Sequence, residues 1–218
     1  MDELNNQNML QAGTILHGTY KIESYLSSGG FGNTYLAKNI EFDETYAIKE
    51  FFVKGVCQRD GNSITISVSN AENTNSFEQQ REKFKKEARR LRSLSNPHIV
   101  KVYDLFEENG TAYYVMDYVD GENLSARLKR TNAPLAESEV RNYLNQILDG
   151  LEAIHNEGMF HLDIKPANIM VDSHDVVKLI DFGASKQQST VGGATMSTGI
   201  SYTNGYAPSE QMAQSYDK

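Results

Sequence analysis

The sequence predicts an α+β fold in which an antiparallel β layer comes first and a mostly α-helical layer follows. Three observations carry this expectation. Between Tyr20 and Phe51 short strand-like segments alternate with turn-like breaks, the Asn109-Gly110 pair separates two further strand-like runs, and beyond Gly121 apolar residues recur at helical spacing. The chain has 218 residues, 39% of them hydrophobic, enough for one substantial core or two small ones.

Element by element, residues 1–13 are polar and aperiodic, so a flexible N-terminus is expected. Tyr20, Ile22 and Leu26, then Tyr35 and Ala37, then Tyr46, Ile48 and Phe51 mark the first strands. Residues 57–76 change character. Asp60-Gly61 signals a tight turn, Ile64, Ile66 and Val68 alternate, and an Asn/Ser-rich stretch follows, which reads as a surface hairpin or mobile insert. Ser76 with Gln79 resembles a capping box, and Phe77, Phe84, Ala88 and Leu91 recur at helical spacing, predicting a helix over about 76–95 that Asn96-Pro97 ends. Strands are expected over 100–106 and 112–116. Val140, Leu144, Ile147, Leu151 and Ile154 then form one apolar helical stripe, with Gly158 where the helix stops.

Composition narrows the function classes. With 21 basic and 29 acidic residues the formal charge is -8, which argues against nucleic acid or an anionic membrane as partner, so any anionic ligand needs a local site. Cys57 is the single cysteine and has no base near it in sequence, so it reads as an incidental thiol. No signal peptide or long apolar run is recognisable, and the expected location is cytoplasmic.

The run Ser28-Gly29-Gly30-Phe31-Gly32-Asn33 lies between two predicted strands, not between a strand and a helix, which argues against a dinucleotide fingerprint or a Walker loop. A glycine hairpin could bring backbone amides close to phosphates; a plain flexible turn explains the glycines equally well. Lys49 follows Tyr46-Ala47-Ile48 on a strand, where an inward ammonium needs anionic partners such as a phosphate and a carboxylate. Glu87, on the helix face of Ala88 and Leu91, is the candidate carboxylate, and a solvated charge run from 81 to 92 is the alternative.

The most informative stretch runs from His161 to Asn168 and on to Asp181-Phe182-Gly183. Asn168 and Asp181 offer hard oxygen donors suited to Mg²⁺, Asp163 can accept a hydroxyl proton, and Lys165 can neutralise charge on a phosphoryl group in transit. His161 reads as a core histidine. Together these groups point to phosphoryl transfer.

With these motifs in this order from about 20 to 211, the chain resembles the Hanks-type, eukaryotic-like serine/threonine protein kinases. The resemblance implies a bilobal protein-kinase-like fold: an antiparallel N-lobe sheet with one main helix over 14–116, a hinge at 117–120, and an incomplete, mostly α C-lobe over 121–218, with 57–76 as an insert between the Lys49 strand and the Glu87 helix. It implies that Leu26, Ser28, Gly29, Gly30, Phe31, Gly32 and Thr34 cover ATP, that Lys49 holds its α and β phosphates, and that Glu87 anchors Lys49, overturning the charge-run alternative. By the same resemblance Asp163 is the catalytic base, Lys165 a phosphate contact, and Asn168 and Asp181 ligands of Mg²⁺. Met116, Asp117 and Val119 belong to the strip that receives adenine, with Ala47 and Met170 on either side of the ring, and Thr203 binds Asp163 and Lys165. ATP and protein substrates with Ser/Thr acceptors are the implied partners, with downstream domains or a completing partner also expected. The alternative is a truncated or pseudokinase-like module that binds nucleotide or partners with little turnover.

Departures from the pattern are Ser27 in place of a glycine, Thr34 in place of an apolar residue, and Pro208-Ser209-Glu210 as an altered APE motif. Leu162 stands where the family commonly has an arginine that grips a phosphorylated activation loop. Phosphorylation of Ser189, Thr190, Thr195, Ser197 or Thr198 is therefore expected to change activity little. The whole reading requires the acids near 163 and 181 and the amine at 49 to surround one triphosphate.

Overall fold

Period-two alternation builds the first layer. A computed structural model, describing residues 8–29, 32–59, 64–183, 186–187 and 203–212, shows strands β1 (Ile15–Leu16), β2 (Tyr20–Gly29), β3 (Gly32–Asn39), β4 (Thr45–Phe51), β5 (Cys57–Arg59), β6 (Ile66–Val68), β7 (Val102–Glu108) and β8 (Thr111–Asp117) in the N-terminal portion. Six of them form an antiparallel sheet in the order β1-β2-β3-β4-β8-β7, and β5 and β6 pair as a separate hairpin. The division by contacts groups Met1–Ser93 with Lys101–Tyr118 as one compact unit, and Leu94–Val100 with Val119–Lys218 as the other.

In the first unit, one sheet face presents Ile22, Tyr35, Ala37, Ile48, Tyr113 and Val115 to a buried cluster completed by Leu10, Leu16, Tyr20 and Phe106. The other face is covered by helix α1 (Thr74–Ser93), which buries Phe77, Phe84, Ala88 and Leu91. The Phe51 ring lies 5.1 Å from Phe77 and 5.5 Å from Phe84, and Phe84 lies 4.9 Å from Tyr114. Burying each such ring contributes about 1.5–3 kcal/mol, which holds α1 on the sheet more firmly than helix propensity could. Asn109 and Gly110, with φ of 53° and 76°, make the expected tight turn between β7 and β8, both residues in the left-handed region that favours Asn-Gly.

Several expectations are corrected here. Of the segment 1–13 expected to be flexible, 1–7 lie outside the described residues, while over 8–13 Leu10 is in the core, its N–H donates to the Tyr35 hydroxyl at 3.2 Å, and the Asn8 carboxamide accepts the Arg59 N–H at 3.0 Å. The strand expected over 100–106 begins at Val102, because Val100 donates to the Leu179 carbonyl at 3.1 Å and Leu179 donates back to His98 at 2.8 Å, drawing 98–100 into the second unit. Helix α1 starts at Thr74 after a short 3-10 turn (Ala71–Asn73) capped by Asn70, so Ser76 lies inside the helix, where its hydroxyl accepts from Gln80 instead of forming a capping box with Gln79. The region 57–76 is thus a hairpin followed by the helix start; its Asp60-Gly61 turn lies outside the described residues.

The second unit contains β9 (Gly121–Asn123), α2 (Leu124–Thr131), α3 (Glu137–Asn156), β10 (Met159–Phe160), β11 (Ile169–Asp172), β12 (Val177–Leu179), β13 (Lys186–Gln187) and α4 (Ser209–Met212). Strands β9, β11 and β12 form an antiparallel sheet in the order β12-β11-β9. Helix α3 grips the β11–β12 hairpin: Gln146 donates to the Asp175 carbonyl at 3.0 Å and accepts the Val177 N–H at 2.8 Å, while Tyr143 donates to the Asp175 carboxylate at 2.7 Å. Its apolar stripe is buried only toward the C-terminal end. Ile154 is fully buried, but Val140 and Leu144 are 46% and 49% exposed, so the stripe is not a continuous core seam among the described residues.

Candidate functional site

In the first unit the groups cluster around β4. Alternation turns Lys49 toward the α1 face, opposite Thr34 on β3 and Tyr114 on β8, and Ala47 pairs with Met116 one step along the same face. The Lys49 ammonium lies 3.7 Å from the Glu87 carboxylate, both side chains largely buried, and 5.7 Å from the centre of the Tyr114 ring. Tyr114 donates its hydroxyl to Glu87 at 3.1 Å. A buried carboxylate that meets both a lysine and a tyrosine hydroxyl can hold the lysine in place.

The glycine hairpin joins β2 and β3, with Ser28 paired to Asn33 and Gly29 to Gly32. Gly30 and Phe31 lie outside the described residues, Ser28 and Gly29 are exposed, and Leu26 is 41% exposed at the edge of the hairpin. A Cβ on Gly32 would lie 2.4 Å from the Glu50 carbonyl, so close approach of the two strands requires glycine at that position. At the end of β8, the Asp117 carboxylate accepts the Lys101 N–H at 3.1 Å and the Tyr103 hydroxyl at 2.7 Å, which ties the end of β8 to β7 and the residue before it.

In the second unit the loop before β11 gathers Asp163, Lys165 and Asn168 with Thr203. The Lys165 ammonium lies 2.7 Å from one Asp163 oxygen and donates to the Thr203 hydroxyl at 2.7 Å, and that hydroxyl donates to the other Asp163 oxygen at 2.7 Å. The Asn168 carboxamide donates to the Asp163 carbonyl at 2.8 Å and to its carboxylate at 2.9 Å. Partial burial pushes the Asp163 carboxyl up, but the hydrogen bonds from Lys165 and Thr203, the Lys165 charge and Asn168 outweigh it and hold the group below its ordinary range. Asp163 is therefore an ionised, fixed acceptor.

Both ends of the β11–β12 hairpin converge on this loop. Ile169 pairs with Leu179, and the Ile180 N–H donates to the Asn168 carbonyl at 3.0 Å, which sets Asn168 and Asp181 at the same end of the hairpin. Met170 sits on β11 between Asn123 and Lys178. Leu162 and Asp181 both adopt left-handed backbone, with φ of 62° and 61°, a conformation costly for non-glycine residues and held by surrounding contacts. One of those contacts is Gln211, 3% exposed, which donates to the Leu162 carbonyl at 2.8 Å. The other is His161, 2% exposed, with Nε2 3.2 Å from the Ile180 carbonyl and its ring 4.5 Å from Phe182. Burial lowers the His161 pKa, so the ring is neutral.

The donor set suits a hard cation. Both side-chain N–H groups of Asn168 are committed to Asp163, so its side-chain oxygen and the Asp181 carboxylate are the groups here that could hold such a cation. Mg²⁺ commonly takes one or two protein oxygens and completes its shell with phosphate oxygens and water. Among the described residues no cluster of three or more His, Cys, Asp or Glu could cage a metal with protein ligands alone.

Sequence reasoning missed Tyr114 and Gln211. The alternation of 111–117 could have placed Tyr114 on the Lys49 face, but nothing local marks Gln211, whose contact spans 49 residues of chain. The five hydroxyl residues between 189 and 198 lie outside the described residues.

A curled antiparallel sheet braced by one helix, followed by a helical unit whose loop and hairpin assemble Asp163, Asn168 and Asp181, is the architecture of the protein-kinase-like fold. The protein kinase domain model matches residues 20–218, and the chain belongs to that family. It is 35% identical over 180 residues to mitogen-activated protein kinase kinase kinase 2 of Arabidopsis thaliana, covering 81% of this chain and 25% of that protein. It is 34% identical over 192 residues to the serine/threonine-protein kinase PrkC of Bacillus subtilis, covering 88% and 26%. The chain thus spans about a quarter of the length of these curated relatives. Among solved structures, the apo form of PpkA-294 superposes with a TM-score of 0.76 at 29% identity, over 81% of this chain and 62% of that one.

Proposed function

We propose that the chain carries an ATP- and Mg²⁺-dependent protein kinase activity that transfers the γ-phosphoryl group to Ser/Thr hydroxyls of proteins. The observation that carries this reading is the Asp163–Thr203–Lys165 triangle, in which all three contacts are 2.7 Å. It holds a carboxylate ionised and beside an ammonium, the pair needed where an alcohol attacks a phosphoryl group.

In this reading Asp163 orients the acceptor hydroxyl and takes its proton as the new oxygen–phosphorus bond forms and the bond to the β-phosphate oxygen breaks. Lys165 neutralises charge on the moving phosphoryl group. Lys49, held by Glu87, grips the α and β phosphates, and the glycine hairpin with Leu26, Ser28, Gly29, Gly30, Phe31, Gly32 and Thr34 covers them. Ala47, Met116, Asp117, Val119 and Met170 receive the adenine. Asn168 and Asp181 hold Mg²⁺, which supplies charge neutralisation across the phosphates when bound. On the domain scale, 14–116 acts as the N-lobe, 117–120 as the hinge and 121–218 as part of the C-lobe. A reducing, cytoplasmic setting suits a chain whose one cysteine, Cys57, is a free buried thiol.

The test is transfer of labelled γ-phosphate from ATP to a generic protein substrate, with Asp163→Asn as the control. A loss of about three orders of magnitude in the variant, with ATP binding retained, is expected. ATP binding without transfer by the wild type would instead favour the low-turnover binding module.

A further inference from the structure

We propose that the β5–β6 hairpin is a clamp on the phosphate-covering glycine hairpin, with Glu50 and Arg59 as positioning residues acting through Asn33. This inference rests on the reading of the chain as an ATP-using kinase.

The same alternation that turns Lys49 toward α1 turns Glu50 to the opposite sheet face, where it is fully buried. Its carboxylate is met from four sides. Arg59 on β5 donates at 2.6 Å and Tyr113 on β8 at 3.0 Å to one oxygen, and Tyr35 at 2.9 Å and Asn33 at 3.2 Å, both on β3, donate to the other. A buried carboxylate of this kind demands that every lone pair be satisfied, so the four donors are fixed relative to one another. Asn33, itself 3% exposed, pairs directly with Ser28 across the glycine hairpin. Lys54, on the connection between β4 and β5, donates to the Ser28 hydroxyl at 2.9 Å. Ser28 is thereby tied to the connection entering β5, and Asn33, through Glu50, to Arg59 at the far end of β5.

The hairpin in turn is anchored. Its Arg59 N–H donates to Asn8 at 3.0 Å, its guanidinium donates to the Ile64 carbonyl, and the Ile66 N–H donates to Asn109 at 2.8 Å in the β7–β8 turn. Glu50 also follows Lys49 immediately, and its carbonyl lies against Gly32. A network fixed at this rung positions the Ser28–Asn33 pair at the base of the glycine hairpin, so its removal should weaken phosphate binding selectively.

The experiment is calorimetric binding of ATP and of adenosine to the full chain and to the folded double variant Glu50→Gln/Arg59→Met, with Asn33→Ala and Lys54→Met in parallel. ATP affinity is expected to fall about tenfold in the double variant and in Asn33→Ala, and less in Lys54→Met, while adenosine affinity stays within about twofold. Should the double variant fail to fold, Asn33→Ala leaves the ion pair intact and reads the same link. Equal loss of ATP and adenosine, or unchanged ATP affinity in folded variants, overturns the clamp while leaving the kinase reading in place. A wild-type chain that binds no ATP overturns that reading itself, and the clamp with it.

Discussion

Tyr114 donates its hydroxyl to Glu87 at 3.1 Å from the strand position paired with Lys49. The residue across the strand from the lysine thus orients that lysine's carboxylate partner. Tyr114→Phe keeps the ring packing against Phe84 and removes only the donor. It is expected to cost about 1 kcal/mol of stability, measured by denaturant unfolding, and to lower phosphate transfer about threefold. An unchanged transfer rate with the stability loss present would mean that Tyr114 braces the helix without orienting Glu87.

Arg59→Met alone strands the Glu50 carboxylate in the core, where Tyr113, Tyr35 and Asn33 cannot neutralise it. A loss of about 3–5 kcal/mol is expected. Adding Glu50→Gln should recover much of it, because the charge and its partner are then removed together. Denaturant midpoints of the two variants check this, and additive losses would contradict it.

Thr203→Val removes one of the donors that hold the Asp163 carboxyl below its ordinary range. The acid limb of the pH–rate profile, where the base becomes protonated, is therefore expected to move to higher pH, with the maximum rate reduced. A limb that stays in place would show that Lys165 and Asn168 suffice to set the Asp163 ionisation.

His161 sets a separate pH window. Its folded-state pKa lies below the ordinary 6.5 because burial opposes the charged ring, although Asp181 and Asp163 act in the other direction. The unfolded chain then binds the proton more readily, so stability is full above about pH 6.5 and declines as pH falls toward the folded value. Asp163, also lowered, adds stability that is complete above its ordinary 3.8 and is lost only as pH falls below it. Unfolding free energies at about pH 7.5 and about pH 5.5 should differ in wild type and converge in His161→Phe.

The parts of the fold legible in sequence were those set by near neighbours. Asn109-Gly110 specifies its turn because both residues tolerate positive φ, and Phe77, Phe84, Ala88 and Leu91 specify the inner face of α1 because helical spacing alone aligns them. Errors arose where a distant partner competed. Val100 has strand-forming chemistry, but Leu179 captures its backbone; Ser76 has capping chemistry, but Asn70 starts the turn earlier. Val140 and Leu144 have helical periodicity without a covering element among the described residues. Leu10 lies in a polar stretch, and its place is set by packing in the core beside Tyr35, whose hydroxyl accepts its N–H.

By itself, the order of residues determined which groups could do chemistry: the spacing from Asp163 through Asn168 to Asp181 and the lysine on its strand are properties of the chain. Only tertiary structure decided which of these groups meet. Tyr114 reaches Glu87 across 27 residues, Thr203 reaches Asp163 across 40, and Gln211 reaches Leu162 across 49. Such contacts form because buried donors and acceptors must find partners wherever packing places them, a condition that local sequence spacing does not encode.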